Sequence, residues 1–445
     1  MPNAPAVFNR QQTQASSRTL RRDSFNTRVQ TVPPSYWQAI IFLFSFAILV
    51  SRRPDAIFRP EFFIEDGPIF YAQAYNAGLL HPLFWTYSGY LHTFPRLVAD
   101  LAQFFPLVYA PLLFNLVALT LQILPAQMLL SSRLTAIGSR PARLFLALLY
   151  LSLPNSSEVH VNLAGAHWRL ATLAFLVIVS APPRTKGAKV FDYFAVLMCG
   201  LTGPLAIMLT PVAFLGWRKG RERWKLILAS TLAACAGVQG SLILIAGRSQ
   251  RLKEPLWANL GSLLEILANH VFMAALMGRN ILFHAHPLGA LVVASLGIAT
   301  LLYGLYRGPL QLKLFIIFAY SVLACSLASP MMAWPVVTGI PAGPHLPGWQ
   351  VLALGGEQRY WYMPMLAFVA TLVWLLKPTT PAAIHLGAIL CFVLMPVAVV
   401  RDWRCWPRVD LHFGEYAEKF RQAPRGTVLV IPVNPPGWSM RLVKH

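Results

Sequence analysis

Glu65-Asp66-Gly67 sets two adjacent carboxylates between aromatic pairs, Phe62-Phe63 before them and Phe70-Tyr71 after. Acids are scarce in this chain, 16 Asp and Glu against 37 Lys and Arg. Carboxylates retained at a membrane surface are functional candidates, because holding them there costs solvation. Neighbouring carboxylates point in different directions, so their labour is divided. One of Glu65 and Asp66 serves as a catalytic base toward an acceptor hydroxyl, and the other holds a metal, a basic side chain or the loop. Partial burial beside aromatics raises a carboxylate pKa in the useful direction. The competing role is an acidic turn or helix cap paired with Arg52, Arg53 or Arg59.

Two more polar clusters stand out. Pro154-Asn155-Ser156-Ser157-Glu158-Val159-His160-Val161-Asn162 is followed by His167-Trp168-Arg169. Glu158, His160, His167 and Arg169 are candidates for holding a sugar or phosphate, with an ordinary polar connection as the alternative. The two-residue spacing of Glu158 and His160 is a weak metal signal, and no metal ligand is assigned. The third cluster runs from Gly355 to Pro364 and contains Arg359-Tyr360. Arg359 is the only Lys or Arg between Lys313 and Lys377. A guanidinium there suits a phosphate leaving group through paired hydrogen bonds, or anchors the chain at headgroup level beside Tyr360 and Trp361. His81, Tyr87, Tyr90 and His92 suit sugar stacking or interfacial packing equally, and His284-Ala285-His286 is a poor metal motif. The chain has no phosphate-binding loop or dinucleotide fingerprint.

The elements that must position these groups are apolar helices. The chain of 445 residues is 56% hydrophobic and only 12% charged, with a mean hydropathy of +0.54; soluble domains carry about 25% charge. The expected architecture is an all-α polytopic transmembrane bundle. Spans need about 17–25 mostly apolar residues, and about eleven candidates lie near 36–52, 106–131, 142–154, 168–182, 190–201, 204–217, 225–246, 286–306, 311–330, 362–377 and 382–400. The shorter ones read as tilted or broken helices. A net charge of +21 is scattered between these runs, which fits anionic membrane lipids and gives no stripe for nucleic acid. Five cysteines show neither metal spacing nor a disulfide framework.

Lys and Arg in short loops orient the bundle. A basic, disordered tail over 1–35 is assigned to the cytoplasm, and loops around Arg140, Lys186, Arg221, Arg307 and Lys377 share that side. The regions 144–181 and 190–217 have basic clusters at both ends, so each reads as a two-pass hairpin. Most acids then fall outside, including those of the long first outer loop, 53–105. Other outer segments are 155–168, 247–285 and 331–361. The domain 36–400 is followed by a small extracytoplasmic cap, 401–445, with a helix around Phe413–Gln422, a strand-like run Thr427–Val433 and a turn at Asn434-Pro435-Pro436-Gly437-Trp438.

With these motifs the chain resembles the GT-C superfamily of polytopic glycosyltransferases. The acidic motif matches at Glu65-Asp66, and the late basic element at Arg359-Tyr360 and Pro364. It is also similar to a group of bacterial membrane proteins with Glu-Asp-Gly after the first helix and a closing Pro-Pro-Gly-Trp. The resemblance implies a polyprenyl-phosphate-sugar donor, a glycan or lipid-linked acceptor, inverting transfer, and a bacterial cytoplasmic membrane location. Glu65 or Asp66 would be the base, and Arg359 with Arg169 or His167 would meet the lipid phosphate. A divalent cation is admitted but not required. The chain has Glu-Asp where many of these enzymes have Asp-Asp or Asp-Glu, and lacks a large soluble C-terminal domain. The competing readings are a non-catalytic lipid or polysaccharide transporter, an O-antigen polymerase-like protein, and a structural membrane subunit.

Overall fold

The computed structural model describes residues 35–246, 255–279, 287–330, 348–355 and 357–445. The basic N-terminal stretch and His284-Ala285-His286 lie outside the described residues. The first apolar run forms α1 (Ser35–Arg52). The first loop then breaks into short pieces: α2 (Asp55–Phe58), a 3-10 turn at Ile64–Asp66, a π-helical turn at Gly67–Tyr71, α3 (Ala72–Ala77), the hairpin β1 (Thr86–Tyr87) to β2 (Tyr90–Leu91), and α4 (Thr93–Ala102). Ser88 and Gly89 at the hairpin tip both have positive φ, 58° and 86°, which matches the turn to the twist of its strands.

The bundle continues with α5 (Ala110–Leu130), α6 (Arg140–Leu151), α7 (Ala166–Val179), α8 (Lys186–Leu201), α9 (Leu205–Gly220) and α10 (Arg223–Ala246). Next, α11 (Leu260–Glu265) and α12 (Ala274–Met277) flank the π-helical segment Ile266–Met273 in one continuous helix. Then come α13 (Pro287–Arg307), α14 (Leu310–Ala328), α15 (Gly348–Ala353), α16 (Arg359–Leu375) and α17 (Ala382–Arg401). The tail forms α18 (Phe413–Gln422) and an antiparallel hairpin, β3 (Val428–Val433) with β4 (Trp438–Val443). The fold is therefore mostly helical, as expected, with two small two-stranded sheets among the described residues.

Among the described residues, six helices are long and apolar enough to cross a membrane: Leu107–Leu130, Arg223–Ala246, Leu260–Met277, Leu288–Arg307, Leu310–Ala328 and Ala382–Arg401. The remaining expected spans form helices of 12 to 18 residues, stopped at tips such as Pro154-Asn155 and Thr202-Gly203-Pro204. The core lies along α7 and α16, which are buried on all sides. By contrast, only 17% of the apolar window of α17 and 28% of that of Leu288–Arg307 is buried within the protein. Apolar faces of that extent suit lipid and not water.

Leu260–Met277 is a long apolar helix that the expected spans do not include, within the segment 247–285 read as outer. Glu265, Asn269 and His270 interrupt the apolar run in sequence, yet Asn269 and His270 are buried, and His270 Nε2 pairs with Ala353 O at 2.7 Å. Before this helix, Leu256 O accepts from Trp349 N, whose indole donates to Leu327 O at 3.0 Å. After it, Arg279 N donates to Asp402 Oδ2, which also accepts from Asn155 N. Leu327 and Asp402 end α14 and α17 beside the 155–162 loop, so the helix enters and leaves at one end of the bundle.

Two ends can now be distinguished. The tips after α6, α8, α14 and α17 gather at one end with the start of α16. The turns at 131–140, 180–186, 220–223, 307–310 and 376–382 lie at the other, and each carries Lys or Arg or is flanked by one. The tail packs on the first loop: the Phe413 ring meets that of Phe62 edge-on at 5.5 Å.

Candidate functional site

A cavity of about 290 Å³ opens at the end where the tips gather. One wall is polar and aromatic and is formed by Glu65, Tyr87, His92, Glu158, His167 and Arg359. The other comes from apolar helices, with Ile207 of α9, Ile243 of α10 and Cys325 of α14. Glu65 and Arg359, 294 positions apart in sequence, therefore face one space.

The Glu-Asp-Gly triplet sends its three residues three ways. Glu65 faces the cavity, and Tyr87 Oη donates to its Oε1 at 3.4 Å. Desolvation raises its pKa, against its own backbone N–H, the Arg359 charge and the Tyr87 hydroxyl. Asp66 turns inward and is buried; its Oδ2 accepts from Leu163 N at 3.1 Å. Burial pushes its carboxyl up to about 7, opposed by the Leu163 N–H and by Arg408. Gly67 leaves room for the tail, since a Cβ there would lie 3.0 Å from Val433 Cγ1 and 3.2 Å from Phe62 Cβ.

The residue before the triplet is strained. Ile64 has φ +47°, costly for a β-branched side chain. The tail holds it there: Ile64 N donates to Asn434 O at 2.6 Å, and Asn434 N donates to Phe62 O at 3.1 Å. The Asn434 side chain is fixed in turn by both backbone groups of Val409, at 2.8 and 2.9 Å. The closing Asn-Pro-Pro-Gly-Trp turn thus clamps the strand that presents Glu65.

Arg359 opens α16 and is bound by carboxylates. Glu158 accepts from its guanidinium and, at 3.0 Å, from its backbone N–H, so Glu158 also caps the helix. Glu357 pairs with the second terminal nitrogen. The Arg359 side chain as a whole is 24% exposed, and Arg359 is the one Lys or Arg among the described residues lining the cavity. Tyr360 lines the same space. His92 stacks against Tyr90 at 4.6 Å and approaches His167 at 6.4 Å. Burial, with His167 and Arg96 nearby, holds His92 far below the usual histidine pKa and keeps it neutral.

Other expected residues fall elsewhere. His160 is fully buried between Gln122 and Leu49 O, at 3.0 and 3.2 Å, and shares nothing with Glu158. Arg169 is buried, donates to Tyr362 Oη and Val159 O, and lies over the Tyr362 ring at 4.3 Å. Neither lines the cavity. Asp66 does not line it either; its buried carboxylate turns toward Leu163. The proposed arginine partners of the acidic pair are also engaged elsewhere. Arg52 and Arg53 donate to carbonyls of 151–160 and 402–406, and Arg59 pairs with Asp410. Of the aromatic and histidine candidates, Tyr87, Tyr90 and His92 line the cavity, whereas His81 packs on Trp85. Asn162 and Trp168 also line it, and only their membership of the polar cluster pointed to them.

No group of three or more His, Cys, Asp or Glu among the described residues is arranged to hold a metal ion. No protein-family model matches the chain, and a search of curated proteins finds no match.

Proposed function

We propose that this chain is a GT-C-like membrane glycosyltransferase, moving a sugar from a polyprenyl-phosphate donor to a glycan or lipid-linked acceptor. The observation that carries the reading is the two-sided cavity: Glu65 and Arg359 on one wall, and side chains near the ends of the apolar helices α9, α10 and α14 on the other. A lipid-linked sugar has that same division. Eleven passes follow if every helix joining the two ends crosses the membrane and Leu260–Met277 does not. The basic loops then face the cytoplasm of a bacterial inner membrane, and the cavity and tail lie outside.

In this mechanism Glu65 accepts the proton of the acceptor hydroxyl as that oxygen attacks the anomeric carbon. The bond from that carbon to the phosphate oxygen breaks on the opposite face, inverting the centre and releasing polyprenyl phosphate. A raised pKa makes Glu65 a stronger base. Arg359, oriented by Glu158 and Glu357, lines the cavity where charge develops on the leaving phosphate. Tyr87, Tyr90, His92 and Trp168 supply ring faces for the sugar. Proteoliposomes containing the full chain and a panel of polyprenyl-phosphate sugars with membrane glycan acceptors should release polyprenyl phosphate. No release from any donor would reject the activity.

A further inference from the structure

We propose that a second cavity, at the basic end of the bundle, binds one anionic phospholipid. It measures about 540 Å³, within the range of about 300–1,000 Å³ typical of small-molecule sites. Its walls come from α5, α6, α7, α14 and α16, with Phe145, Leu146, Phe175, Phe315 and Leu366 forming much of the apolar lining. It is distinct from the candidate active site. Along α7, His167 faces one cavity and Phe175 the other; along α14, Ser326 faces one and Leu312 the other.

Charge selects the occupant. Among the described residues, the lining carries two formal cations, Arg143 and Lys377, and no carboxylate. Arg143 is buried and donates to Leu129 O at 3.1 Å and to Ser131 O, but its Nε is buried without a hydrogen-bond partner. Lys377 is exposed at the rim, 6.0 Å from the Trp374 ring. An apolar chamber between helices, with one buried arginine and one lysine at the rim, matches an acyl chain with a phosphodiester headgroup. A zwitterionic lipid offers the same chain without the net charge.

The test is native mass spectrometry of the full chain in detergent, with phosphatidylglycerol or phosphatidylcholine of identical chains added. One phosphatidylglycerol should be retained with a preference of about thirtyfold, the scale on which two basic residues attract anionic lipid. Lys377→Gln, an exposed change that spares the fold, should remove most of that preference. Ala370→Phe, which fills the chamber, should reduce retention of both lipids. Equal retention of the two lipids by the wild type would overturn the proposal, as would unchanged retention in both variants. Displacement of phosphatidylglycerol by much lower concentrations of polyprenyl phosphate would overturn the assignment to a bulk phospholipid.

Discussion

Asp66→Asn tests the division of labour within the acidic pair through stability and not activity. Burial raises the Asp66 pKa from 3.8 to about 7. Between those values the folded chain holds a proton that the unfolded chain has released. The associated stability is therefore fully present below pH 3.8 and is lost as pH rises through about 7. At 1.36 kcal/mol per unit, the loss is about 4 kcal/mol. The substituted amide keeps an oxygen for the Leu163 N–H and cannot ionise, so this pH dependence should disappear. The assay is unfolding of purified wild type and variant in detergent, followed by tryptophan fluorescence from about pH 4 to about pH 8. The difference between the two curves isolates Asp66 from the other titrating groups. The variant should gain on the wild type steadily with rising pH. Parallel curves would refute the buried, inward-facing Asp66.

Three other perturbations follow from the same contacts. Arg408→Met leaves Glu61 O, Val161 O and Asn115 Oδ1 without their buried donor and should cost about 3 kcal/mol or more, at about 1–3 kcal/mol per unsatisfied acceptor, read as a lowered denaturant midpoint. Asn434→Ala removes both side-chain bonds to Val409 and should cost about 2–4 kcal/mol; proteolysis should then reach the tail sooner. Tyr87→Phe removes a hydrogen bond that lowers the Glu65 pKa, so the acid limb of kcat/KM should move to higher pH. An unmoved limb would separate Glu65 from the titration that controls turnover.

The local features of the fold were legible because they depend on near neighbours. The tail helix Phe413–Gln422 shows a helical period and the run before Asn434 a strand period, and both elements form there. The basic loops marked the turns that now share one end. The scarcity of charge pointed to Glu65 and Arg359, which share the cavity. What was not legible depends on distant partners. Nothing near Glu65 or Asp66 says which faces inward, because the Asp66 partner is Leu163 and the clamp on Ile64 is Asn434. His160 resembled a site residue until Gln122 and Leu49 enclosed it. Leu260–Met277 was obscured because Glu265, Asn269 and His270 interrupt its apolar run, and the partner of His270, Ala353 O, lies far along the chain.

The central claim is that Glu65, which shares the polar wall of the cavity with Arg359, is the base. Polyprenyl phosphate release in proteoliposomes by Glu65→Gln and Asp66→Asn, at matched protein abundance, tests it directly. Glu65→Gln should lose about 10²-fold or more in rate, while Asp66→Asn keeps a rate close to the wild type. Retained turnover in Glu65→Gln, or a loss confined to Asp66→Asn, would contradict the assignment.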